Sequence, residues 1–413
     1  MTSLSKIGVM KSAAGPLQLV LRKPKALNAI DADMVRLLSQ ALAQVTPQSG
    51  INRVVVRGEG DKAFCAGGDV VSIRNDIVQG QYAHAASFFN EEYDMNLEIA
   101  RCSVPFVSVL NGIVMGGGVG VSLNGDTRVA SPSSLYAMPE TAIGFFCDVG
   151  GTWHLPRAGI DGDDAALGTY LALTGARLKG ADLVHAGIAT HFVASDEALT
   201  ELHRMLCEDS SSDAVPECGL TVPREELPPP SFAAHLPLIH RAFGKASVAE
   251  IVVELEELLE TEHKEWAQKQ LKTLSKMSPL ALRLVHWQLQ TGAQAPSIED
   301  AYALERYLAF CFVVDKNGMF AEGVRALLVD KDRSPHWPQP TLQGVTDEDV
   351  STFLFGLDRV FSELDLTSVS WTNVIAQHVL QLLPQLSEAQ ADAARVVLAA
   401  LMPQATQEHM AAL

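Results

Sequence analysis

The sequence predicts an α/β fold followed by a helical C-terminal region. Strand-like and helix-like hydrophobic patterns alternate over the first two hundred residues, which is typical of an α/β domain. After residue 231 the pattern is almost wholly helical. With 413 residues, 47% of them hydrophobic, the chain can bury a sizeable core, so a disordered or disulfide-stapled protein is excluded.

The first elements follow from periodicity in chain order. Residues 17–21 alternate like a strand, and Asp31 is placed to cap an amphipathic helix. Residues 54–57 are a β-branched run typical of a strand. Residues 104–110 form a buried strand that leads into the glycine-rich turn at 115–120. Beyond the α/β part, Ser278 and Pro279 are suited to begin a helix.

Two stretches rich in proline and polar residues interrupt these patterns, at 208–231 and 330–340. Neither can be one regular element. We therefore predict a core at 1–207, a linker at 208–231, a helical region at 232–345 and an additional helical tail at 346–413.

The charge and the cysteines exclude several functions. The net charge is −18, and no basic block exists, which argues against sequence-independent nucleic-acid binding. The six cysteines have no metal-ligand spacing, so free thiols and no metal are expected. These cysteines are Cys65, Cys102, Cys147, Cys207, Cys218 and Cys311.

No membrane span is expected. Residues 102–125 carry no charge and are long enough to cross a bilayer, but six glycines and Pro105 interrupt them. The N-terminus has no secretory signal. The basic segment before Asp31 lacks acids, as a mitochondrial presequence does, although part of it alternates like a strand.

Two glycine-rich loops, at 64–69 and 115–120, each follow a predicted strand. Neither loop matches a nucleotide-binding motif. A dinucleotide-binding loop follows the first strand of its domain and is followed by an acid about twenty residues later, and a P-loop ends in Gly-Lys-Ser/Thr. Free backbone N–H groups from two such loops can converge on one oxygen as an oxyanion hole. The alternative is that each loop is only a tight turn.

Carboxylates near such a hole would supply acid, base or nucleophilic chemistry. Glu140 and Asp148 lie in apolar, glycine-interrupted surroundings, where desolvation raises a carboxyl pKa. Either could instead be a helix cap. Cys147 has no histidine placed to activate it and is expected to pack in the core, and His154 is expected to be a core or supporting residue.

Three motifs in this order resemble the crotonase (enoyl-CoA hydratase/isomerase) superfamily, namely FCAGGD at 64–69, NGIVMGGGVG at 111–120 and MPETAIG at 138–144. Within it, the resemblance is strongest to the acyl-CoA thioester hydrolases and covers about residues 6 to 350. That narrower match lies in residues 137–151, 173–180, 186–193, 276–279 and 322–332.

The resemblance implies a crotonase-like spiral of repeated ββα units and assigns roles to the catalytic residues. The N–H groups of Gly68 and Gly117 would form the oxyanion hole. Glu140 and Asp148 match the two catalytic carboxylates, and Glu92 matches an acid of the acyl pocket.

The resemblance also implies a coenzyme A site. Lys25, Leu27, Ala66 and Asp69 would seat the adenine and pantetheine. Coenzyme A is part of the substrate, so no separate cofactor is implied.

The activity implied is hydrolysis of a short-chain 3-hydroxyacyl-CoA thioester, 3-hydroxyisobutyryl-CoA or 3-hydroxypropionyl-CoA, in valine catabolism in mitochondria or the cytoplasm. Two departures bear on it. Gly120 stands where hydratases carry a glutamate, which favours hydrolysis, and Cys147 stands where the hydrolases carry proline, which would loosen the Asp148 loop.

Two alternatives remain open. One is an enoyl-CoA hydratase or isomerase. The other is a scaffold subunit of mitochondrial ribosomes, with the tail at 346–413 as a protein-docking element. Relatives are often trimers or paired trimers, so a homo-oligomer is also expected.

Overall fold

The computed structural model describes residues 5–159, 161–209, 215, 219–315 and 318–402. Its strands are β1 (Ile7–Lys11), β2 (Leu17–Leu21), β3 (Val54–Gly58), β4 (Ala63–Cys65), β5 (Phe106–Leu110), β6 (Ile113–Met115), β7 (Thr127–Ala130), β8 (Leu135–Ala137), β9 (Leu178–Lys179) and β10 (His191–Phe192).

The helices of the α/β part are α1 (Ala32–Leu42), α2 (Val70–Val78), α3 (Tyr82–Ala100), α4 (Gly117–Leu123), α5 (Gly151–His154), α6 (Ala165–Thr174), α7 (Asp182–His185) and α8 (Asp196–Glu208). Those that follow are α9 (Leu236–Phe243), α10 (Val248–Leu258), α11 (Lys264–Leu274), α12 (Pro279–Gly292), α13 (Ile298–Val314), α14 (Met319–Val324), α15 (Asp347–Phe353), α16 (Leu357–Ser362), α17 (Trp371–Leu382) and α18 (Glu388–Leu401).

The strands form two sheets, ordered β1-β2-β3-β5-β7-β10 and β4-β6-β8-β9. Pairing is parallel except between β1 and β2 and between β8 and β9. The pairs β3–β4, β5–β6 and β7–β8 each place one strand in each sheet, and a helix follows each pair. This repetition confirms the predicted spiral of ββα units.

Local signals locate these elements well. Asp31 caps α1 by accepting a hydrogen bond from the Met34 backbone N–H over 3.1 Å. Ser278 caps α12 in the same way, with Pro279 at its first position. The valines of β3 are fully buried because a parallel sheet is covered on both faces. Residues 102–125 form β5, β6 and α4, and no helix among the described residues is long and apolar enough to cross a bilayer.

The predicted linker at 208–231 begins at the last residue of α8, and a 3₁₀ turn at Arg224–Glu226 lies within it. Residues 210–214 and 216–218, including Cys218, lie outside the described part. The five described cysteines are free. The four-part division of the chain stays a prediction.

Helix α13 is the centre of the C-terminal half, because every residue from 301 to 314 is buried. It packs against α3 and α5 of the α/β part and against α17 and α18 of the tail. The hydroxyl of Tyr307 donates to the Leu354 carbonyl over 2.8 Å, and the Trp371 N–H donates to Asp300 over 2.9 Å. One apolar core therefore extends from Ile7 to Leu401.

Candidate active site

A cavity of about 260 Å³ lies between the two glycine loops, α3 and the 3₁₀ turn at Glu140–Ile143. Phe88, Phe89 and Phe145 form its aromatic wall. A π-helical turn at Arg325–Val329 contributes leucines 327 and 328 from the helical region. The lining also includes every predicted catalytic and oxyanion-hole residue, together with Glu92 and Ala66.

The glycine loops approach each other closely in this cavity. Gly67 and Gly116 have φ values of +130° and +46°, a region that favours glycine. A Cβ atom built on Gly117 would lie 3.4 Å from the backbone nitrogen of Gly68 and 2.8 Å from Glu92 Oε1. Within the described residues, neither the Gly68 nor the Gly117 N–H has an acceptor. The structure thus brings together two free donors at the cavity wall.

Glu140 begins the 3₁₀ turn after β8 and is 6% exposed. Its Oε2 has no hydrogen-bond partner among the described residues. Burial, followed by the charge of Asp148, raises the Glu140 pKa well above its usual value. The carboxyl group is therefore a stronger base than an exposed glutamate when it is ionised.

Asp148 does not cap a helix. Its Oδ2 accepts a 3.0 Å hydrogen bond from the hydroxyl of Tyr93, which lies on α3. Burial raises the Asp148 pKa to about 7, and the hydrogen bond from Tyr93 opposes that rise. The next two residues, Val149 and Gly150, have φ values of +54° and +97°.

Glu92 lies beside Tyr93 on α3 and is 3% exposed. Its Oε1 has no hydrogen-bond partner within the described chain. Burial raises the Glu92 pKa well above normal, and the charges of Asp148 and Glu305 raise it further. The cavity thus holds three buried acids, and the charge of Asp148 disfavours ionisation of the other two.

Of the predicted coenzyme A residues, Ala66 lines this cavity. The Ala66 N–H donates to the Leu27 carbonyl over 3.0 Å, which fastens the early loop to the first glycine loop. Asp69 caps α2 and lies 3.7 Å from Lys23 Nζ, so part of its role is structural. Lys25 is exposed.

Sequence reasoning missed Tyr93, Gln288 and Glu305. Glu305 enters from α13 and accepts hydrogen bonds of 2.9 Å from the backbone N–H groups of Gly150 and Thr152. Burial raises its pKa to about 8, against the effect of the Gly150 hydrogen bond. Its position within the largely apolar run 301–314 could have revealed it, because a buried acid almost always has a specific partner.

Gly120, which stands where hydratases carry a glutamate, lies where there is little room for a side chain. A Cβ atom there would lie 2.7 Å from Asn96 Nδ2 and 2.8 Å from the Val149 Cβ atom. The glutamate that hydratases carry at this position would not fit here.

The remaining candidates take supporting places. Burial raises the Cys147 pKa, so its thiol is not a ready nucleophile. His154 contacts Asn124 over 3.2 Å, and burial lowers its pKa to about 3. Among the described residues, no group of three His, Cys, Asp or Glu side chains is arranged to hold a metal ion.

The profile of the enoyl-CoA hydratase/isomerase family matches residues 17–354. Two crystal structures are similar to this fold. A carnitinyl-CoA dehydratase from Mycobacterium thermoresistibile is 32% identical with a TM-score of 0.76, over 85% of this chain and 96% of that one. An enoyl-CoA hydratase from Rhodobacter sphaeroides 2.4.1 is 33% identical with a TM-score of 0.74, over 86% and 98%.

Curated relatives are similar over nearly the same length. A protein from Dictyostelium discoideum is 40% identical over 82% of this chain and 88% of its own. The protein from Danio rerio is 40% identical over 84% of this chain and 87% of its own. The protein from Homo sapiens is 38% identical over 81% of this chain and 84% of its own. All three are named mitochondrial 3-hydroxyisobutyryl-CoA hydrolase. This chain therefore belongs to the enoyl-CoA hydratase/isomerase family, in its group of 3-hydroxyisobutyryl-CoA hydrolases.

Proposed function

We propose that this protein hydrolyses 3-hydroxyisobutyryl-CoA to the free acid and coenzyme A, in the mitochondrial breakdown of valine. The observation that supports the mechanism is that Gly68 and Gly117 line one cavity with Glu140, and that their N–H groups have no acceptor among the described residues. The names of the curated relatives support the substrate and the compartment.

The thioester oxygen binds between the Gly68 and Gly117 N–H groups. As the tetrahedral intermediate forms, that oxygen gains negative charge, and two fixed donors stabilise it where water is excluded. Glu140 then acts in one of two ways. In the first, its carboxylate attacks the carbonyl carbon, the C–S bond breaks, coenzyme A leaves as its thiol, and water hydrolyses the resulting anhydride. In the second, it takes a proton from a water that attacks the carbonyl carbon, and the C–S bond then breaks to release coenzyme A.

Asp148 and Glu92 handle the other polar groups. With a pKa of about 7, Asp148 exchanges a proton near neutral pH and orients the water or the substrate's 3-hydroxyl. Glu92 Oε1, which has no hydrogen-bond partner among the described residues, accepts a hydrogen bond from that hydroxyl, so that a buried polar atom is satisfied.

Coenzyme A lies along Leu27 and Ala66 at the cavity edge, and Lys25 faces its phosphates. Among the described residues, Lys25 has no carboxylate within ion-pair distance, whereas Lys23 is paired with Asp31 and Asp69. A local cation thus offsets the acidic net charge.

The alternatives have less support. Hydration of an enoyl-CoA needs a second acid after the triple glycine, and Gly120 leaves no room for it. A scaffold role would need a free apolar face on the tail, but Ile375 and Val379 of α17 are buried in the protein's own core. A homo-oligomer and a protein partner for the tail stay predictions.

A thiol-release assay across a panel of CoA thioesters tests the function. We expect release from 3-hydroxyisobutyryl-CoA or 3-hydroxypropionyl-CoA, and a fall of about 10³-fold or more in Glu140→Gln. Glu140→Gln should still bind coenzyme A in calorimetry, which shows that it is folded. A wild-type protein that releases no thiol from either substrate would refute the proposal.

A further inference from the structure

Two side chains from outside the α/β part hold the loop that bears Asp148. They are Glu305 on α13 and Gln288 on α12, both fully buried. Neither lines the cavity. We propose that Glu305 is a positioning residue, which fixes the backbone of residues 148–152 and so aims the Asp148 carboxylate into the cavity. This inference rests on the proposed hydrolase function.

The contact uses the whole carboxylate. Oε2 accepts from the Gly150 N–H and Oε1 from the Thr152 N–H, each over 2.9 Å. A fully buried carboxyl is costly unless its oxygens are hydrogen-bonded, and here both oxygens have backbone donors. Glu305 is thus committed to this loop, 155 residues earlier in the chain.

The loop needs such an anchor because its backbone is strained. Val149 is β-branched and has a φ of +54°, a conformation that persists only where surrounding contacts enforce it. Gln288 supplies a second anchor, since its Nε2 donates to the Cys147 carbonyl over 2.6 Å and to Thr152 Oγ1 over 2.8 Å. Contacts therefore hold the backbone on both sides of Asp148.

This arrangement also compensates for Cys147, which stands where the hydrolases carry proline. A proline there would restrict the backbone before Asp148, and a cysteine does not. The side-chain hydrogen bonds from α12 and α13 restrict the same backbone from outside. The helical region is thereby part of the catalytic geometry, although it contributes neither of the two proposed catalytic carboxylates.

The test compares Glu305→Gln and Glu305→Ala with the wild type. The glutamine side chain has one oxygen to accept from the Gly150 and Thr152 N–H groups, and the alanine side chain has none. We expect kcat for 3-hydroxyisobutyryl-CoA to fall about 10- to 100-fold in Glu305→Gln and further in Glu305→Ala. KM should change less than about twofold, because the cavity lining is untouched.

Glu254→Gln is the matched control. Glu254 is also a buried acid of the helical region, and it pairs with Arg241 and Lys245, away from the loop. After correction for the folded fraction, its kcat and KM should equal those of the wild type. If Glu305→Ala does not fold, Glu305→Gln and Gln288→Ala give the same comparison.

The outcomes separate the two proposals. If the wild type hydrolyses the substrate and Glu305→Gln keeps its kcat, or changes only KM, the positioning role is wrong. If the wild type releases no coenzyme A, the hydrolase function is wrong instead.

Discussion

The hydroxyl of Tyr93 donates a 3.0 Å hydrogen bond to Oδ2 of Asp148, and both side chains are buried. This bond favours the ionised carboxylate and so lowers the Asp148 pKa, which burial holds at about 7. The balance between these two effects places the titration of Asp148 near neutral pH.

Removing the Tyr93 hydroxyl should move this titration. In Tyr93→Phe the Asp148 pKa rises, so the acid limb of the kcat/KM profile moves to higher pH if ionised Asp148 is required. The measurement is thioester hydrolysis between pH 5 and 9. Tyr170→Phe is the control, because Tyr170 packs on Phe243 and does not line the cavity. An unmoved acid limb in Tyr93→Phe would contradict this account.

Glu92 should determine the preference for a 3-hydroxyl group. In Glu92→Leu we expect kcat/KM for 3-hydroxyisobutyryl-CoA to fall about tenfold or more, because the buried 3-hydroxyl loses its acceptor. Isobutyryl-CoA, which lacks the hydroxyl, should be affected much less. Glu91→Leu is the matched control, since Glu91 pairs with Arg36 on the surface. Equal losses on both substrates would count against the role.

Filling the space at Gly120 should damage the site. Alanine normally favours a helix, but here its Cβ would overlap Asn96 and Val149. We expect Gly120→Ala to lose about 1–3 kcal/mol of unfolding free energy, as overpacked cores do. Because Val149 adjoins Asp148, kcat should fall as well. Denaturant titration and the thiol assay measure both effects, and wild-type values in both would show that the space is adaptable.

The buried acids should make the protein less stable as pH rises. In the folded state the pKa of Asp148 is about 7 and that of Glu305 about 8, against ordinary values of 3.8 and 4.5. The folded state therefore retains protons that the unfolded state has lost. Unfolding free energy should fall between about pH 4 and pH 8, by about 1.4 kcal/mol per pH unit for each retained proton.

Urea denaturation at several pH values checks this slope. Glu92→Gln removes one of the raised pKa values, so its slope should be shallower than that of the wild type. A stability that rises from pH 5 to pH 8 would show that these acids are ionised at little cost.

The tail should unfold together with the site. Trp371 is fully buried, donates from its indole nitrogen to the Leu366 carbonyl over 2.8 Å and packs on Phe361. Trp371→Ala should cost about 3–5 kcal/mol, and Trp371→Phe less. Tryptophan fluorescence and hydrolysis should be lost in one transition. A tail that melts while activity persists would contradict this prediction.

Local signals made much of this molecule predictable. The caps Asp31 and Ser278 act on residues three positions away, and the strands follow from short hydrophobic runs. The family resemblance singled out Gly68 and Gly117, and the structure places both in one cavity. Glu305 could not be placed in this way, because its partners are more than 150 residues distant and no local pattern encodes such a contact.

Helix α18 packs along α3, the helix that presents Glu92 and Tyr93 to the cavity. The last described helix of the chain thus supports the helix that carries Glu92 and Tyr93. During synthesis, α3 would remain uncovered on that side until α18 has left the ribosome. Activity would then appear only after α18 has packed on α3, and a nascent chain that stops before α18 would expose an apolar surface that chaperones recognise.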